Sequence, residues 1–200
     1  MLKRNRSVNT TQRMIYVIFL IIFFVICLYL VTLRKESKIE ITKTELIMTY
    51  TPRQIADYFL YIGKDDTTMT PMKLIKLVYI AHGWNLGLND EKLINEDIQA
   101  WKYGTVIPSL YDDFKRFRSN RITEIPDSEP SDINEDDKKF LDKVYDVYKK
   151  YDGLQLSAKT HQPNTPWTIT WNKLINGSGE VDFTIPNELI KNYYKQLASK

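Results

Sequence analysis

Hydrophobic positions change their rhythm along this chain. Residues 14–33, MIYVIFLIIFFVICLYLVTL, run for twenty positions without a charge, and fifteen of them are Ile, Leu, Val or Phe. At about 1.5 Å per residue a helix of that length matches a hydrocarbon core of about 30 Å, so the segment predicts a transmembrane helix. From Met48 onward apolar residues recur three and four apart between polar clusters, the rhythm of amphipathic helices. Thr-Pro precedes three of these runs, at Thr51-Pro52, Thr70-Pro71 and Thr165-Pro166. Threonine accepts from orphan amides at an N-cap, and proline suits the first helical position, so three helix starts are marked. Gln54, three residues after Thr51, completes a capping box.

In the second of these helices Met72, Leu74, Ile75, Leu77, Val78, Tyr79, Ala81, Trp84 and Leu88 cover more than half the circumference, which predicts a largely buried helix with Lys73 and Lys76 on the remainder. Residues 97–101, DIQAW, read as a short strand, followed by a turn at Tyr103-Gly104 and a helix from about Ser109 to Phe117. The two prolines and acidic residues of IPDSEPSDINEDD, 125–137, predict an exposed loop. A helix follows with Phe140, Val144, Val147, Tyr148 and Tyr151 as its stripe, stopped by Asp152-Gly153. Leu154 to His161 and Asn187 to Leu197 read as further helices. The fold class is therefore mainly α, α+β only through a minor short-strand element: a compact helical domain plus one transmembrane helix. The divisions are a basic tail at 1–13, the membrane helix at 14–33, a linker at 34–47 and the domain at 48–200.

A cleaved signal peptide would need a shorter apolar region and a small-residue cleavage site before Arg34, so the segment reads as an uncleaved anchor. Lys3, Arg4, Arg6 and Arg13 on one side face Arg34, Lys35, Lys38 and Lys43 on the other, which leaves its orientation a near tie. A competing reading starts translation at Met48, where MTYTPRQIADYFLYIG is a natural domain opening.

Composition of 43% hydrophobic and 26% charged residues is that of a folded protein. The net charge of +3 is carried by the first 47 residues, with eight basic and three acidic groups; the 20 basic and 22 acidic groups that remain give 48–200 a balance of −2. That argues against a polyanion-binding body, so no nucleic-acid partner is expected. Lys115, Arg116, Arg118 and Arg121 read as a solvated face. Cys27 stands alone in the apolar run, which excludes a disulfide framework. Asp132, Asn134 and Asp136 open like a calcium loop, but Asp137 replaces the required glycine and Lys143 the closing glutamate. No Gly-rich phosphate motif occurs, and neither a metal nor a cofactor is expected. His82 reads as a core histidine, and His161 as one bonded to a backbone carbonyl. The enzymatic alternative is a membrane-anchored hydrolase using His161 with Asp152 or Asp182.

The segments TPRQIADYFLYIG, MTPMKLIKLVYIAHGWNL, IQAWKYGTVIPSLYDDF and LSAKTHQPNTPW occur in the order and approximate spacing of the Panacea domain. From about Met48 to Ile175 the chain resembles this family of SocA-like and GepA-like phage-associated proteins, most specifically in the W-K-Y-G…V-x-P-S-L-Y and T-H-x-x-x-x-P-W blocks. The resemblance implies a non-enzymatic antitoxin that neutralises a cognate toxin, often encoded beside it, by direct binding. One type of member instead delivers its toxin to an AAA+ protease as an adaptor. It also implies a bacterial cell, in which the apolar run makes the chain single-pass in the membrane through 14–33; its domain is then expected to be cytoplasmic, or the protein wholly cytoplasmic and soluble if translation starts at Met48. A phage-associated scaffold without a toxin is the remaining alternative. The chain departs from the family in Thr105, where G-P-V is common, and in Ile75 and His82, where glutamine is common. No catalytic residue carries over. Trp101, Pro108, Tyr111, Phe114, His161, Pro166 and Trp167 are assigned structural roles, with Trp101, Tyr111 and Phe114 in the core. Lys102, Tyr103, Gly104 and Thr105 around the turn are the candidate partner-binding residues.

Overall fold

A computed structural model describes residues 26, 28–30, 49–176 and 183–200. The chain divides into two compact units, residues 1–47 and Met48–Lys200. In the first, Ile26 and Leu28 to Leu30 are helical and exposed. No helix among the described residues is long and apolar enough to cross a membrane. The anchor expected at 14–33 lies, apart from those four residues, outside the described ones.

The second unit contains helices α1 (Pro52–Ile62), α2 (Pro71–Asn89), α3 (Pro108–Phe114), α4 (Glu135–Tyr148), α5 (Gly153–Thr160), α6 (Pro166–Asn176) and α7 (Asn187–Ala198), with strands β1 (Gln99–Trp101) and β2 (Gly104–Val106) between α2 and α3. It is mainly helical, as the residue pattern predicts, and the one short strand expected at 97–101 is joined by a second in a two-stranded antiparallel sheet.

The three Thr-Pro sites start α1, α2 and α6. Thr51 accepts from the Gln54 amide while the Gln54 side chain returns to the Thr51 N–H at 2.8 Å, a complete capping box. Thr70 and Thr165 accept from the amides of Lys73 and Thr168, each at 3.3 Å. Two further caps were hidden in segments read differently. Asn134 caps α4 at 2.8 Å from the Asp137 amide, so helix begins inside the expected 125–137 loop. Asp152, read as a stop, instead opens α5 with a second capping box shared with Gln155. The expected helix to Phe117 ends at Phe114 and tightens into a 3-10 turn over Lys115–Phe117, closed by Arg118 at a φ of 54°.

Helix α2 is the axis of the unit. It packs against α1, α3, α4, α5, α7 and β2, and its buried residues occupy every side of the helix. Lys73 and Lys76 are therefore not on an exposed remainder: both are buried, while Leu88, expected inside, is exposed near the C-terminal tip. Lys73 fits because its ammonium reaches three acceptors: Asp66 at 2.6 Å, Thr68 Oγ1 at 2.8 Å and the Lys149 carbonyl at 2.7 Å. Burial works against ionising Asp66, but the bonds from Lys73 and Thr68 prevail and hold its carboxyl below the usual range. On α4 the buried positions are Leu141 and Val144; Val147, expected in the stripe, is 57% exposed. Leu141, Val144 and Tyr148 follow the i, i+3, i+7 spacing of one helical face, and Val147 falls beside it.

Strands β1 and β2 pair Gln99 with Val106, Ala100 with Thr105 and Trp101 with Gly104. On the other side of β1, Ala100 N–H donates to the Phe183 carbonyl and Ile185 N–H to the Ile98 carbonyl, both at 2.7 Å. Tyr50 is held similarly against Leu93 and Asn95, at 2.8 and 2.9 Å. These pairings draw the two ends of the domain onto its centre.

Helices α2 and α7 pack closely. A Cβ added at Gly87 would stand 2.7 Å from Tyr194 Cβ and 3.0 Å from its backbone carbonyl carbon, so the clash involves main chain that no rotamer can relieve. Alanine gains about 1 kcal/mol of helix propensity there. Overpacking typically costs about 1–3 kcal/mol and prevails. Gly87→Ala is expected to lower the midpoint of urea unfolding, read by circular dichroism, rather than raise it as a solvent-facing Gly→Ala change would.

Candidate functional site

The two strands meet in a hairpin with Lys102 and Tyr103 at its tip. Trp101 pairs with Gly104, and Gly104 takes a φ of 112°, a region that side chains other than glycine's rarely enter. A glycine in this place after two turn residues of negative φ restores the twist of the returning strand.

Three helices fix this turn through its carbonyl oxygens. The Trp167 indole N–H, from α6, donates to the Trp101 carbonyl at 2.8 Å. The Ser157 hydroxyl, from α5, donates to the Tyr103 carbonyl at 3.0 Å. The Lys76 amine, from α2, donates to the Thr105 carbonyl at 2.7 Å in a fully buried bond. Alternate residues of the hairpin are thereby tied, and Lys102 and Tyr103 project outward. Tyr103 is 70% exposed, with the Lys102 ammonium 5.5 Å over its ring.

The expected surface set is thus split. Lys102 and Tyr103 are exposed, whereas Gly104 and Thr105 are buried, because the returning strand passes directly over Lys76 and His161. The expected core set is split too. Phe114 is fully buried, but Tyr111 is 40% exposed and Trp101 half-buried, the two rings meeting edge-on at 5.1 Å. On so short a helix as α3 the inward face is filled by Leu110 and Phe114, and Tyr111 falls on the flank. Pro108 and Pro166 occupy the first positions of α3 and α6.

His161 closes α5 as its C-cap, with its ring 3.8 Å from that of Trp167. Nδ1 lies 2.6 Å from the Ser157 carbonyl and must carry the proton it donates there. It therefore cannot accept from the Ser157 hydroxyl 3.5 Å away, which is already committed to the Tyr103 carbonyl. Asp152 is engaged as the N-cap at the opposite end of α5, nine residues or roughly 13 Å along the axis from His161. Asp182, the other carboxylate of the hydrolase reading, lies outside the described residues. His82 is buried, accepting at Nδ1 from the Ile94 amide at 3.3 Å and donating from Nε2 to Asn187 at 2.8 Å. Burial pushes its pKa down and keeps it neutral. Among the described residues no three His, Cys, Asp or Glu side chains group closely enough to hold a metal.

Two residues central to the turn escaped the sequence reading. Ser157 carries no signal in isolation. Lys76 does: on a helix apolar all round, a lysine has no solvent face to occupy. Unlike Lys73 it meets a single acceptor and no carboxylate, and burial pulls its pKa from 10.5 down to about 7.

The folded state thus gives up this proton near pH 7 while the unfolded chain keeps it to about 10.4. Stability accordingly rises with pH between those limits, by up to about 1.4 kcal/mol per unit. Buried Tyr79 and Tyr194, whose pKa values burial raises, oppose the trend above about pH 10. Urea unfolding of wild type and Lys76→Met from pH 7 to 9.5 should show wild type gaining on the variant throughout; parallel curves would contradict a neutral Lys76. The Thr105 hydroxyl is buried without a partner. Thr105→Val keeps the shape and removes that group, and should raise stability by about 1 kcal/mol in the same measurement.

The two sequence blocks therefore meet in space, His161 and Trp167 beneath the turn that Trp101, Tyr103 and Gly104 form. Residues 74–168, which contain both, match the model of a family described as antitoxin SocA-like, Panacea domain. Antitoxin SocA of Caulobacter vibrioides (strain NA1000 / CB15N) is similar at 29% identity over 126 residues, covering 57% of this chain. The chain spans 64% of the length of that relative. No solved structure matches. The likeness to Panacea domains read from the motifs recurs in this match over residues 74–168.

Proposed function

We propose that residues 48–200 act as an antitoxin that neutralises a toxin protein by direct contact, with the Lys102–Tyr103 tip as part of the contact surface. The observation that carries this reading is the three-point fixation of the hairpin. A loop already held in one conformation loses little entropy when a partner covers it, and tyrosine offers large contact area with few torsions to freeze. The likeness of residues 74–168 to an antitoxin domain supplies the class of partner. The proposal needs no bond-making chemistry, metal or cofactor. Binding either occludes the toxin or presents it to an AAA+ protease, and the toxin is encoded close by. If residues 14–33 span a bilayer with the domain on the cytoplasmic side, tethering raises the effective concentration of the domain toward a toxin acting at that membrane.

Co-expression with the product of a neighbouring small reading frame tests the reading. Expressed alone that product should arrest growth, and the full chain should restore it and co-purify with it. The Lys102→Ala, Tyr103→Ala double variant should melt as wild type does yet bind at least tenfold more weakly, since both side chains point away from the fold. Undiminished binding would remove the hairpin from the interface, and a harmless, unbound neighbour would remove the antitoxin reading.

A further inference from the structure

Between α2, α4, α5 and α7 lies a cavity of about 260 Å³ that neither the turn nor its supports use. Its walls are tyrosine: Tyr79 from α2, Tyr148 from α4, and Tyr193 and Tyr194 from α7. Tyr79 and Tyr194 are buried while Lys159 and Gln162, which also line it, are exposed, so the cavity runs inward from the surface. Ligand pockets for drug-sized molecules span about 300–1,000 Å³, whereas a cavity of about 150 Å³ takes one benzene. The space here suits one large aromatic side chain and is too small for a nucleotide.

Among the described residues Lys159 is the one charged residue lining it, and no carboxylate does. Its ammonium sits 4.4 Å over the Tyr151 ring, with the Lys150 ammonium 5.2 Å from the same ring. Tyr151 in turn packs on Tyr148 at 6.4 Å. The Tyr148 hydroxyl accepts the Trp84 indole N–H at 3.0 Å and so keeps its own proton for another acceptor. Aromatic walls, a hydroxyl donor and a cationic rim select a ring with a carboxylate beside it.

From this geometry we infer that the cavity is a second recognition site, which takes an aromatic side chain flanked by acidic residues on a partner polypeptide. The inference rests on reading the domain as a protein-binding module, but its chemistry can be tested without the toxin. The probes are the peptides acetyl-Asp-Trp-Asp-amide and acetyl-Asn-Trp-Asn-amide, and indole-3-acetate as a free aromatic acid, titrated into the isotope-labelled full chain and followed by amide resonances.

The acidic peptide should shift Lys159, Thr165 and Tyr193 saturably and bind at least threefold more tightly than the amide peptide. Lys159→Gln, an exposed change that leaves the spectrum otherwise intact, should abolish that difference, and Gln162→Trp, which fills the mouth, should weaken both peptides. Shifts that do not saturate, or that are equal for the two peptides, overturn the inference. Tighter binding of indole-3-acetate than of the acidic peptide overturns the assignment to a polypeptide. Failed peptide binding in a chain that still rescues cells from the toxin would discard the cavity and leave the hairpin reading standing. Peptide binding without rescue would do the reverse.

Discussion

A helix surrounded on every side has nowhere to put a charge, and α2 carries two lysines into that position. Everything else in the domain is arranged around how those amines are accommodated. Lys73 is satisfied by a carboxylate, a hydroxyl and a carbonyl, one from each of three points along the chain, and so pins the loop after α1 and the end of α4 to the central helix. Lys76, three residues on, is given one carbonyl and no charge partner. The first amine is a structural rivet. The second is tolerated near neutrality by losing its proton, and the carbonyl it holds belongs to the hairpin. A buried cation without a counter-ion costs several kcal/mol, so the domain spends stability at the place where its turn is anchored.

That anchoring explains why aromatic residues crowd the segment from Trp101 to Phe114. Phe114 fills the core, Trp101 and Tyr111 form an edge-on pair at its margin, and Tyr103 stands in solvent. The crowding serves a graded transition from interior to surface over a few residues. Trp167, stacked at 5.5 Å on Trp171, provides the platform beneath, and its indole N–H reaches the hairpin backbone rather than a side chain. Substitutions at the tip can then change the exposed side chains while the carbonyls below stay tied.

Much of this architecture was legible because it is written in local chemistry. Thr-Pro marked three helix starts, the glycine of W-K-Y-G marked the turn, and the apolar density of α2 marked the buried axis. The failures share a cause. Lys73 and Lys76 were placed outside because charge outweighs position in any pattern argument, and their acceptors lie up to 76 residues away in sequence. Thr105 was placed at the surface because the turn glycine precedes it, whereas the strand register turns it inward against Ala100. Asp152 looked like a terminator, and only the side chain of Gln155 reveals it as a beginning. The tyrosine cavity gathers residues from four helices, so no window of sequence could contain it.

The segment Phe183–Ile185, which hydrogen-bonds to the outer side of β1, carries a consequence for where this domain can be cut. The match to the SocA-like family model ends at residue 168, before this segment and before α7. A fragment trimmed to it would leave β1 with an open row of amides and carbonyls and strip Tyr194 from α2, presenting a bare edge beside a bare apolar face. Such a piece is built to self-associate. The stretch matched at 74–168 is thus shorter than the length of chain that covers both the strand edge and the α2 face.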